Sequence, residues 1–527
     1  MPHKILVSEP ISEVGLAELR RSFTVDYRPE LADSQLVAAL ADADALIVRS
    51  KTKVTAEAIA AGERLRVIGR AGVGYDNIDL EAATARGILV MNVPDANTIS
   101  ATEHTFALMF ALARRIPAAV RSMSEGKWAR AQLVGHELFE KTLGIVGFGR
   151  IGKEVAQRAR AFGMRVLVQD PFVTPERAAD LGVELAELDP LLAESDVVTL
   201  HCPLTDTTRK LIDAGRLALM KRSAFLINCA RGGILDEEAL VAALKEGRLA
   251  GAALDVFPKE PPDFTSPLHS SSLPGLICTP HLGASTEEAQ EKVGTAIARQ
   301  VAAALLGGEY ANSVNLPAIE PSELRRLQPY MRLGERLGAF MARWMPSRMG
   351  GLELSCEGEV AGLEVEFVRR SVLRGFLSCC LDGPVTAVNA PQLARQSGLE
   401  LTDVRRPGPG AGRLVLSMRT AGESHQLAGG LSAAGDPRLH RVDGFELELG
   451  LEGNILLFFH RDKPGVIGRV GTILGDSHIN IGRMEVGRRG QGDDAIMVLT
   501  VDSEVPAPVL ARLGQLGEVA GVKMISI

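Results

Sequence analysis

Three polar residues follow apolar, strand-like segments, and their types suit the oxidation of a 2-hydroxy acid. Arg231 follows AFLINCA, Glu260 follows LDVFPK and His281 follows LICTP. In that reaction hydride leaves C2 while a proton leaves the hydroxyl, and a neutral histidine can accept the proton. A carboxylate would orient the imidazole and favour its protonated form, and an arginine would hold the substrate's carboxylate in a bidentate pair.

Taken singly, each of these residues also has an ordinary structural explanation. A lone histidine is often structural, Glu260 in PKEPP could lie in a solvated turn, and Arg231 could be a surface charge at a helix entry. Ligands of an open parallel sheet bind outside the carboxyl ends of its strands, so all three side chains are expected to meet there. This shared placement, downstream of a dinucleotide-type loop, favours the catalytic interpretation.

The segment GFGRIG places Gly147, Gly149 and Gly152 between a strand, TLGIV, and a helix. The first glycine permits a tight turn, the second lets the backbone approach a pyrophosphate, and the third lets helix and strand pack closely. Asp170 ends the next strand, near the spacing expected for the acid that binds the ribose hydroxyls. Its carboxylate would repel a 2′-phosphate, so the pattern favours NAD over NADP. A plain glycine turn is the alternative.

The elements that must position these residues alternate between strands and helices. In the first 94 residues the strand-like segments are KILVSE, TVDYR, ALIVRS, RVIGRAG and ILVMNVP, with amphipathic helical patterns between them. A second alternation follows the long helical pattern SATEHTFALMFALARR. The chain is therefore predicted to be α/β, with two Rossmann-like parallel-sheet domains. A further helix is predicted over about 286–306.

Beyond Asn315 the sequence has a different character. GLEVEFV and RLVLSMR are predicted strands, Pro317, Pro321 and Pro329 are expected to punctuate a linker, and RRPGPGAGR is predicted to be a loop. From Asn454 onwards the pattern is strand, helix, strand, strand, helix, strand, which predicts a ferredoxin-like βαββαβ unit.

Composition narrows the class of protein. A net charge of −7 and a pI near 5.9 argue against nucleic acid as a partner. The six cysteines form no C-x-x-C pair, which indicates reduced thiols and a cytoplasmic protein. We expect no signal peptide, no membrane-spanning segment and no metal site, because the required apolar runs and spaced ligands are missing from the sequence.

Four motifs, GFGRIG, NCARGGILDEEAL, ALDVFPKEPP and TPHLGAST, occur in this order and resemble the D-isomer-specific 2-hydroxyacid dehydrogenase family. The resemblance implies an active site in a cleft between two Rossmann-like domains, with Arg231, Glu260 and His281 as the catalytic set. It also implies NAD contacts beyond the glycines and Asp170, with Val73 and Cys202 contributing packing or backbone contacts. The further implied NAD contacts are Arg150, Ile151, Cys229, Ala230, Arg231, Asp255, His281, Gly283 and Ala284.

VRSKTKVT and GRAGVGYDNIDLEAAT, together with the C-terminal extension, are most similar to the branch of this family that acts on D-3-phosphoglycerate. This implies NAD-dependent oxidation of D-3-phosphoglycerate to 3-phosphohydroxypyruvate, the first step of phosphorylated L-serine biosynthesis. Basic residues and glycines at strand ends suit a phosphorylated substrate, although solvated surface charge is an alternative. The candidate substrate residues are Arg49, Ser50, Arg70, Gly72, Gly74 and Asn97.

Residues 460–482 resemble an ACT regulatory domain, which implies L-serine as an effector bound between paired subunits. His460, Asp462 and Asn480 match its ligand positions; turn and helix-capping roles are the alternative. The region before it resembles an intervening domain that takes an anionic effector, with His440 and Arg441 as candidates.

The predicted domains are 1–97 with 286–315 for substrate, 98–285 for NAD, an intervening α+β domain at 316–452, and the ACT domain at 453–527. Family resemblance implies dimers through the NAD domain, with Gly126–Arg130 reaching towards the neighbouring subunit's site, and leaves dimer or tetramer open.

Two other functions stay open at this point. One is a relative acting on glyoxylate, D-lactate or erythronate phosphate, and the other is a nucleotide-sensing scaffold such as a transcriptional corepressor.

Overall fold

The computed structural model describes residues 3–269, 273, 275–307, 312–345, 350–420, 424–488 and 493–527. Four β-sheets organise this part of the chain. None of its helices combines the length and the apolar composition that crossing a bilayer requires.

The first sheet is parallel, in the order β2-β1-β3-β4-β5, as the alternating pattern predicted. Every residue of β3 is buried, which is typical of a strand covered on both faces. Its elements are β1 (Lys4–Val7), α1 (Glu13–Arg20), β2 (Thr24–Tyr27), α2 (Asp33–Leu40), β3 (Ala45–Val48), α3 (Ala56–Ala61), β4 (Val67–Arg70), α4 (Leu80–Ala85) and β5 (Leu89–Met91).

The second sheet has seven parallel strands in the order β12-β11-β10-β9-β6-β7-β8. Helix α5 (Thr98–Ala113) leads into it, and a 3₁₀ turn covers Arg130–Gln132. The remaining elements are α6 (Ile116–Ser124), β6 (Thr142–Val146), α7 (Arg150–Ala161), β7 (Arg165–Gln169), α8 (Pro175–Asp180), β8 (Glu184–Leu185), α9 (Leu188–Glu194), β9 (Val197–Leu200), α10 (Ala214–Leu219), β10 (Phe225–Asn228), α11 (Glu237–Lys245), β11 (Gly251–Leu254), the 3₁₀ turn Pro267–His269 and β12 (Leu276–Cys278).

Helix α12 (Glu287–Leu305) carries the chain back to the first sheet. Its buried residues Ile297 and Val301 belong to the same apolar cluster as Ile5, Ile47 and Val67 of that sheet. The amphipathic helix therefore buries its apolar face where the sequence placed it. The exact domain boundaries stay predictions.

The intervening region is built on a mixed sheet of order β14-β13-β15-β16-β17-β18. One side of this sheet is covered by α13, which packs against α14. The elements are α13 (Pro321–Trp344), β13 (Gly351–Glu357), the 3₁₀ helix Gly358–Gly362, α14 (Glu366–Leu377), α15 (Ala390–Gln396), β14 (Leu401–Arg406), β15 (Arg413–Arg419), β16 (Ser424–Leu431), β17 (Pro437–Val442) and β18 (Phe445–Gly450).

Two expectations for this region are wrong. GLEVEFV is not a strand. A 3₁₀ helix ends at its first residue, and α14 begins at Glu366. The helix forms because Val368, Val372 and Phe376, spaced four residues apart, bury one helical face. Pro321 and Pro329 do not mark a linker: Pro321 is the first residue of α13, and Pro329 lies inside it. There, burial of the helix's apolar face offsets the hydrogen bond that proline removes.

The C-terminal unit has the predicted βαββαβ order and an antiparallel sheet, β20-β21-β19-β22. Its elements are β19 (Asn454–Arg461), α16 (Val466–Asp476), β20 (Ile481–Arg488), β21 (Asp494–Val501), α17 (Ala507–Gly514) and β22 (Val519–Ser526). The ring of Phe459 stacks on Trp344 of α13 with centroids 6.0 Å apart, which joins this sheet to the intervening region.

Candidate active site

His281 and Glu260 form a hydrogen-bonded pair beyond the ends of β12 and β11. His281 Nδ1 lies 2.7 Å from Glu260 Oε2. Both side chains are about two-fifths exposed, at 41 % and 38 %. Within the described part of the chain no residue hydrogen-bonds Nε2. The pair can therefore present Nε2 to a substrate hydroxyl while Glu260 holds the ring.

The charge of Glu260 is set by competing effects. Burial raises the pKa of its carboxyl, but the hydrogen bond and charge of His281 and the N–H of Phe257, 3.1 Å from Oε1, bring the pKa below its usual value. Glu260 is therefore ionised at neutral pH, as an orienting partner of an imidazole must be.

Asp255 holds the loop that carries His281. Its side chain is fully buried, and its oxygens accept hydrogen bonds from Thr279 Oγ1 at 2.6 Å and from the N–H groups of Leu282 and Gly283 at 2.7 and 2.8 Å. Burial raises the pKa of Asp255, and these bonds together with His104 lower it below the usual value. The role that the geometry supports is positioning of the loop, and a direct contact with NAD stays a prediction.

Sequence reasoning missed the face of α5 that supports this loop. Ser100 Oγ donates to the carbonyl of Gly283 at 2.8 Å. One turn further along, His104 Nε2 lies 3.2 Å from Thr279 Oγ1 and 3.1 Å from Asp255 Oδ1. The available signal was weak: Ser100 and His104 are spaced four apart, and so share one helical face, within the polar first half of the α5 pattern.

Arg231 lies where the two Rossmann-like sheets meet. Its Nη1 donates to the carbonyl of Ala230 at 2.7 Å, and its Nε lies 3.3 Å from Asp76 Oδ2. A Cβ added to Gly74 would lie 2.2 Å from Arg231 Nη2, so that glycine allows the loop of the first sheet to approach the guanidinium. The structure thus brings Arg231 and Gly74 together, although they are far apart in sequence.

Arg70, at the end of β4, contributes a second guanidinium to this place. Gly72 beside it has φ +148°, a conformation that favours glycine, and a Cβ there would lie 1.5 Å from the present position of Arg70 Nη1. Burial, followed by the charges of Arg231 and Arg49, lowers the pKa of Arg70 to about 10. Its Nε is buried and has no hydrogen-bond partner among the described residues. A buried cation with an unsatisfied donor suits an anionic ligand.

The loop Arg49–Thr52 is fixed by Glu9, which the sequence did not reveal as important. Glu9 is 6 % exposed and accepts the N–H groups of Arg49, Lys51 and Thr52 at 2.9, 3.2 and 2.9 Å. Asn77 Nδ2 donates to the carbonyls of Arg49 and Thr52 at 2.8 and 2.7 Å. A glutamate that ends strand-like KILVSE was the only sequence signal.

The last two candidate substrate residues differ in their surroundings. Ser50 is exposed at the end of β3. Asn97 is the N-cap of α5, and its Oδ1 is buried with no partner among the described residues. An unsatisfied acceptor between the two sheets fits the expected contact near the hinge.

The glycine loop fits a dinucleotide. Gly147 has φ +94°, and a Cβ there would lie 2.6 Å from the N–H nitrogen of Cys202; a Cβ on Gly152 would lie 2.3 Å from the carbonyl oxygen of Gly147. The first and third glycines are thus required by the turn and by the packing. A Cβ on Gly149 would meet no atom within 4 Å. The open approach lies at the N-terminus of α7, where phosphate binds favourably.

The other predicted NAD residues surround this loop. Asp170 follows β7, and its carboxylate accepts the N–H groups of Phe148 at 2.7 Å and Phe172 at 2.9 Å. Arg150 forms an ion pair with Asp95 in the segment between the two sheets. Ile151 is partly buried against the apolar cluster beneath α7.

Two thiols line the same region, and both are neutral. Burial raises the pKa of Cys202 to about 11 and that of Cys229 to about 12. As neutral groups the thiols can contribute packing and weak hydrogen bonds, and backbone contacts with NAD stay a prediction. The N–H of Ala230 donates to Asn228 Oδ1 at 3.1 Å, and Ala284 is partly buried. Among the described residues, no cluster of histidine, cysteine, aspartate or glutamate side chains could hold a metal ion.

The three predicted serine ligands are not brought together within one chain. His460 pairs with Ala495 at one end of the C-terminal sheet, whereas Asn480 precedes Ile481, which pairs with Val501 at the other end. His460 Nδ1 lies 2.9 Å from the carbonyl of Arg461, and its Nε2 is buried without a partner among the described residues.

The neighbouring ligand candidates have partners of their own. Asp462 Oδ2 accepts from Arg488 Nη1 at 3.2 Å, near His460. Asn480 Nδ2 donates to Asp502 Oδ2 at 2.7 Å. All three predicted serine ligands stay predictions.

His440 and Arg441 lie side by side in β17. Burial, followed by the charge of Arg413, lowers the pKa of His440. The Nε atoms of Arg438 and Arg441 are buried and unpaired in the described chain. The surroundings are cationic, as an anionic effector would need.

Comparison with known proteins extends over the whole chain. Residues 106–283 match the family described as "D-isomer specific 2-hydroxyacid dehydrogenase, NAD binding domain", residues 326–443 match the "D-3-phosphoglycerate dehydrogenase intervening domain", and residues 454–518 match the "ACT domain". The D-3-phosphoglycerate dehydrogenase of Methanocaldococcus jannaschii is 41% identical over 99% of this chain and 100% of its own length. That of Bacillus subtilis is 40% identical over 99% of both chains.

Solved structures resemble the part of the chain that carries the site. A D-lactate dehydrogenase from Aquifex aeolicus, complexed with NAD and lactic acid, aligns with a TM-score of 0.54 and 31% identity, covering 60% of this chain and all of its own. A glyoxylate reductase from Paecilomyes thermophila aligns with a TM-score of 0.55 and 31% identity, covering 59% of this chain and 98% of its own.

Proposed function

The chain belongs to the D-3-phosphoglycerate dehydrogenases of the D-isomer-specific 2-hydroxyacid dehydrogenase family, and on this premise we propose how its residues carry out the reaction. The enzyme is an NAD-dependent oxidoreductase that converts D-3-phosphoglycerate to 3-phosphohydroxypyruvate, the first step of phosphorylated L-serine biosynthesis. The observation that carries the assignment of roles is the His281–Glu260 pair beyond the strand ends of the NAD domain.

His281 is the proton acceptor in our proposal. Its Nε2 takes the proton of the C2 hydroxyl while Glu260, bonded to Nδ1, stabilises the imidazolium that forms. Arg231 binds the substrate's carboxylate in a bidentate pair and orients C2. NAD, when bound, would supply the acceptor for the hydride of C2. The loop of Gly147, Gly149 and Gly152 would hold its pyrophosphate.

The remaining roles at this site are also proposals. Asp170 would bind the ribose of NAD. Arg150, which pairs with Asp95 in the structure, would pair with a phosphate of NAD instead. Arg49 and Arg70 would bind the phosphate of the substrate, helped by the N–H groups near Gly72 and Gly74. The unpaired Nε of buried Arg70 and the unpaired Oδ1 of Asn97 support this placement, because an unsatisfied buried polar group is costly.

L-Serine is the proposed effector, bound between two ACT domains. Since His460 and Asn480 lie at opposite ends of one sheet, a common site requires His460 and Asp462 from one chain and Asn480 from another. Such an isologous arrangement gives two equivalent sites per pair.

A dimer through the NAD domain is supported by exposed apolar side chains around α6 and the segment after it. Trp128, in the segment Gly126–Arg130, is 80 % exposed. We propose that this surface is covered by a second copy and that the enzyme works in the cytoplasm, where its six free cysteines stay reduced. The exposed residues are Ile116, Val120, Met123, Trp128, Val134 and Phe139.

The assigned reaction is tested by following NADH oxidation with 3-phosphohydroxypyruvate, with pyruvate and glyoxylate as competing substrates, each with and without L-serine. We expect rapid oxidation with 3-phosphohydroxypyruvate only, reduced by L-serine. Faster turnover of glyoxylate or pyruvate would contradict the substrate roles of Arg49 and Arg70. Oxidation that L-serine does not change would contradict the effector proposal alone.

A further inference from the structure

A second group of arginines, in addition to those at the catalytic cleft, lies at a different part of the fold. A cavity of about 530 Å³ lies between the first sheet and the helices of the intervening region. Its walls include Arg66, directly before β4, and Gly87, shortly before β5. These are the amino ends of the strands, whereas Arg70 and the substrate residues lie at the carboxyl ends. The cavity is therefore separate from the active site.

The charge of the cavity is opposite to that of the chain as a whole. The net charge of the protein is −7, yet the described lining has five arginines and only two glutamates, Glu63 and Glu335. The first sheet and its connections provide three of the arginines, and helices α13 and α14 provide two. The arginines are Arg64, Arg66, Arg86, Arg332 and Arg374.

Only part of this positive charge is neutralised by the protein. Arg64 bonds Asp44 at 2.9 Å, and Arg374 pairs with Glu335. Among the residues that the structure describes, Arg66 and Arg332 have no ion-pair partner. The Nε of Arg374 is buried without a hydrogen-bond partner there. An unsatisfied buried donor beside two free guanidinium groups favours an anion.

The rest of the lining suits a small polar metabolite. Ser371, Gln328 and Thr386 add hydrogen-bonding groups, and the volume lies in the range of ligand sites. Thr386 Oγ1 also donates to the carbonyl of Gly87 at 2.9 Å, which joins the two walls. Arginines of both walls thus face one common cavity, Arg66 from the first sheet and Arg332 from α13.

We propose that this cavity binds a small metabolite with at least two phosphate or carboxylate groups, and that the ligand fastens the substrate-binding sheet to the intervening region. Arg66 and Arg332 provide the free guanidinium groups, one from each wall. Binding to the assembled state alone would stabilise the contact between the two units.

The test uses the full-length protein and inorganic pyrophosphate as the probe. Calorimetric titration at constant ionic strength compares the parent, R66Q/R332Q, and R21Q/R222Q, a control that removes two exposed arginines elsewhere. We expect R66Q/R332Q to bind at least tenfold more weakly and to lose most of the rise in Tm that pyrophosphate causes, while the control matches the parent. Any binding to the active-site arginines is common to all three proteins.

Identical titration curves for the three proteins would overturn the proposal. If R66Q/R332Q does not fold, R332Q alone, which changes an exposed helix residue, is expected to weaken binding at least threefold relative to R222Q. Calorimetry reports this binding whether or not the enzyme oxidises NADH with 3-phosphohydroxypyruvate. A failure of the assigned reaction can thus be told from a failure of this inference.

Discussion

The side chain of His281 is held from two directions. Glu260 binds Nδ1 at 2.7 Å, and the backbone N–H of His281 donates to the carbonyl of Asp255 at 2.9 Å. The residue also has φ +54°, in the left-handed region that few side chains adopt. Two bonds and an uncommon backbone conformation together fix where Nε2 points, which is what proton transfer requires.

Replacing His281 by alanine is expected to lower kcat by about 10²- to 10⁴-fold, because the proton acceptor is lost. NADH affinity should change little, since the glycine loop is untouched. Steady-state kinetics and fluorescence titration with NADH measure the two effects. H136A, on the other side of the NAD domain, is the control. A kcat within threefold of the parent would remove His281 from the reaction.

Glu260 should make stability depend on pH in one direction. Its folded pKa is lowered below the ordinary value of 4.5, so its contribution is present above that pH and is lost as pH falls through the lower folded value. With the carboxylate 38 % exposed, about 1 kcal/mol or less is expected. Thermal unfolding of the parent and E260Q between pH 7 and 3 should show a difference that shrinks below about pH 4. A constant difference would contradict this assignment.

At the scale of an element, the glycines of the turn between β6 and α7 have two different roles: some are required by packing, and one leaves room for a ligand. The Cβ positions of Gly147 and Gly152 collide with backbone atoms, whereas that of Gly149 is open. One turn therefore contains residues required by the fold and a residue that only the cofactor's approach requires.

This distinction predicts opposite behaviour for two alanine substitutions. G149A should keep the Tm of the parent within a few degrees but weaken NADH binding at least tenfold, because its methyl group enters the space left for the pyrophosphate. G152A should lower the stability by about 1–3 kcal/mol, because its Cβ would lie 2.3 Å from the carbonyl oxygen of Gly147. Calorimetry and NADH titration measure both. Equal NADH affinity of G149A and the parent would contradict the placement of the pyrophosphate.

At the scale of the whole molecule, the serine site should depend on two chains. If His460 and Asn480 of different chains form each site, H460A and N480A should each abolish serine binding. Co-refolded chains of the two variants should regain about a quarter of the parent's sites, since about half of the pairs are hybrids with one intact site. Equilibrium dialysis with labelled L-serine measures the sites. No recovery in the mixture would contradict the shared site.

The sequence by itself determined the elements whose patterns are local. The parallel sheets follow from apolar runs alternating with amphipathic helices, and the βαββαβ unit follows from six such segments in order. Gly147, Gly149, Gly152 and Asp170 were evident because a dinucleotide turn places its requirements within one short segment. Local chemistry gave no such guide for residues 362–368, where apolar alternation predicted a strand. Packing against α13 instead favours a helix that begins at Glu366.

Only the tertiary structure decided which distant residues meet. Glu9 holds the loop of Arg49, Ser100 and His104 hold the loop of His281, and Gly74 admits Arg231. Each contact joins segments far apart in the chain, so no local residue spacing in the sequence predicts it. The parallel sheets bring the strand ends together, and burial there makes every polar group find a partner in the protein or in a ligand. For the same reason the sequence did not predict the cavity, whose unpaired guanidinium groups come together only when α13 and α14 pack near the first sheet.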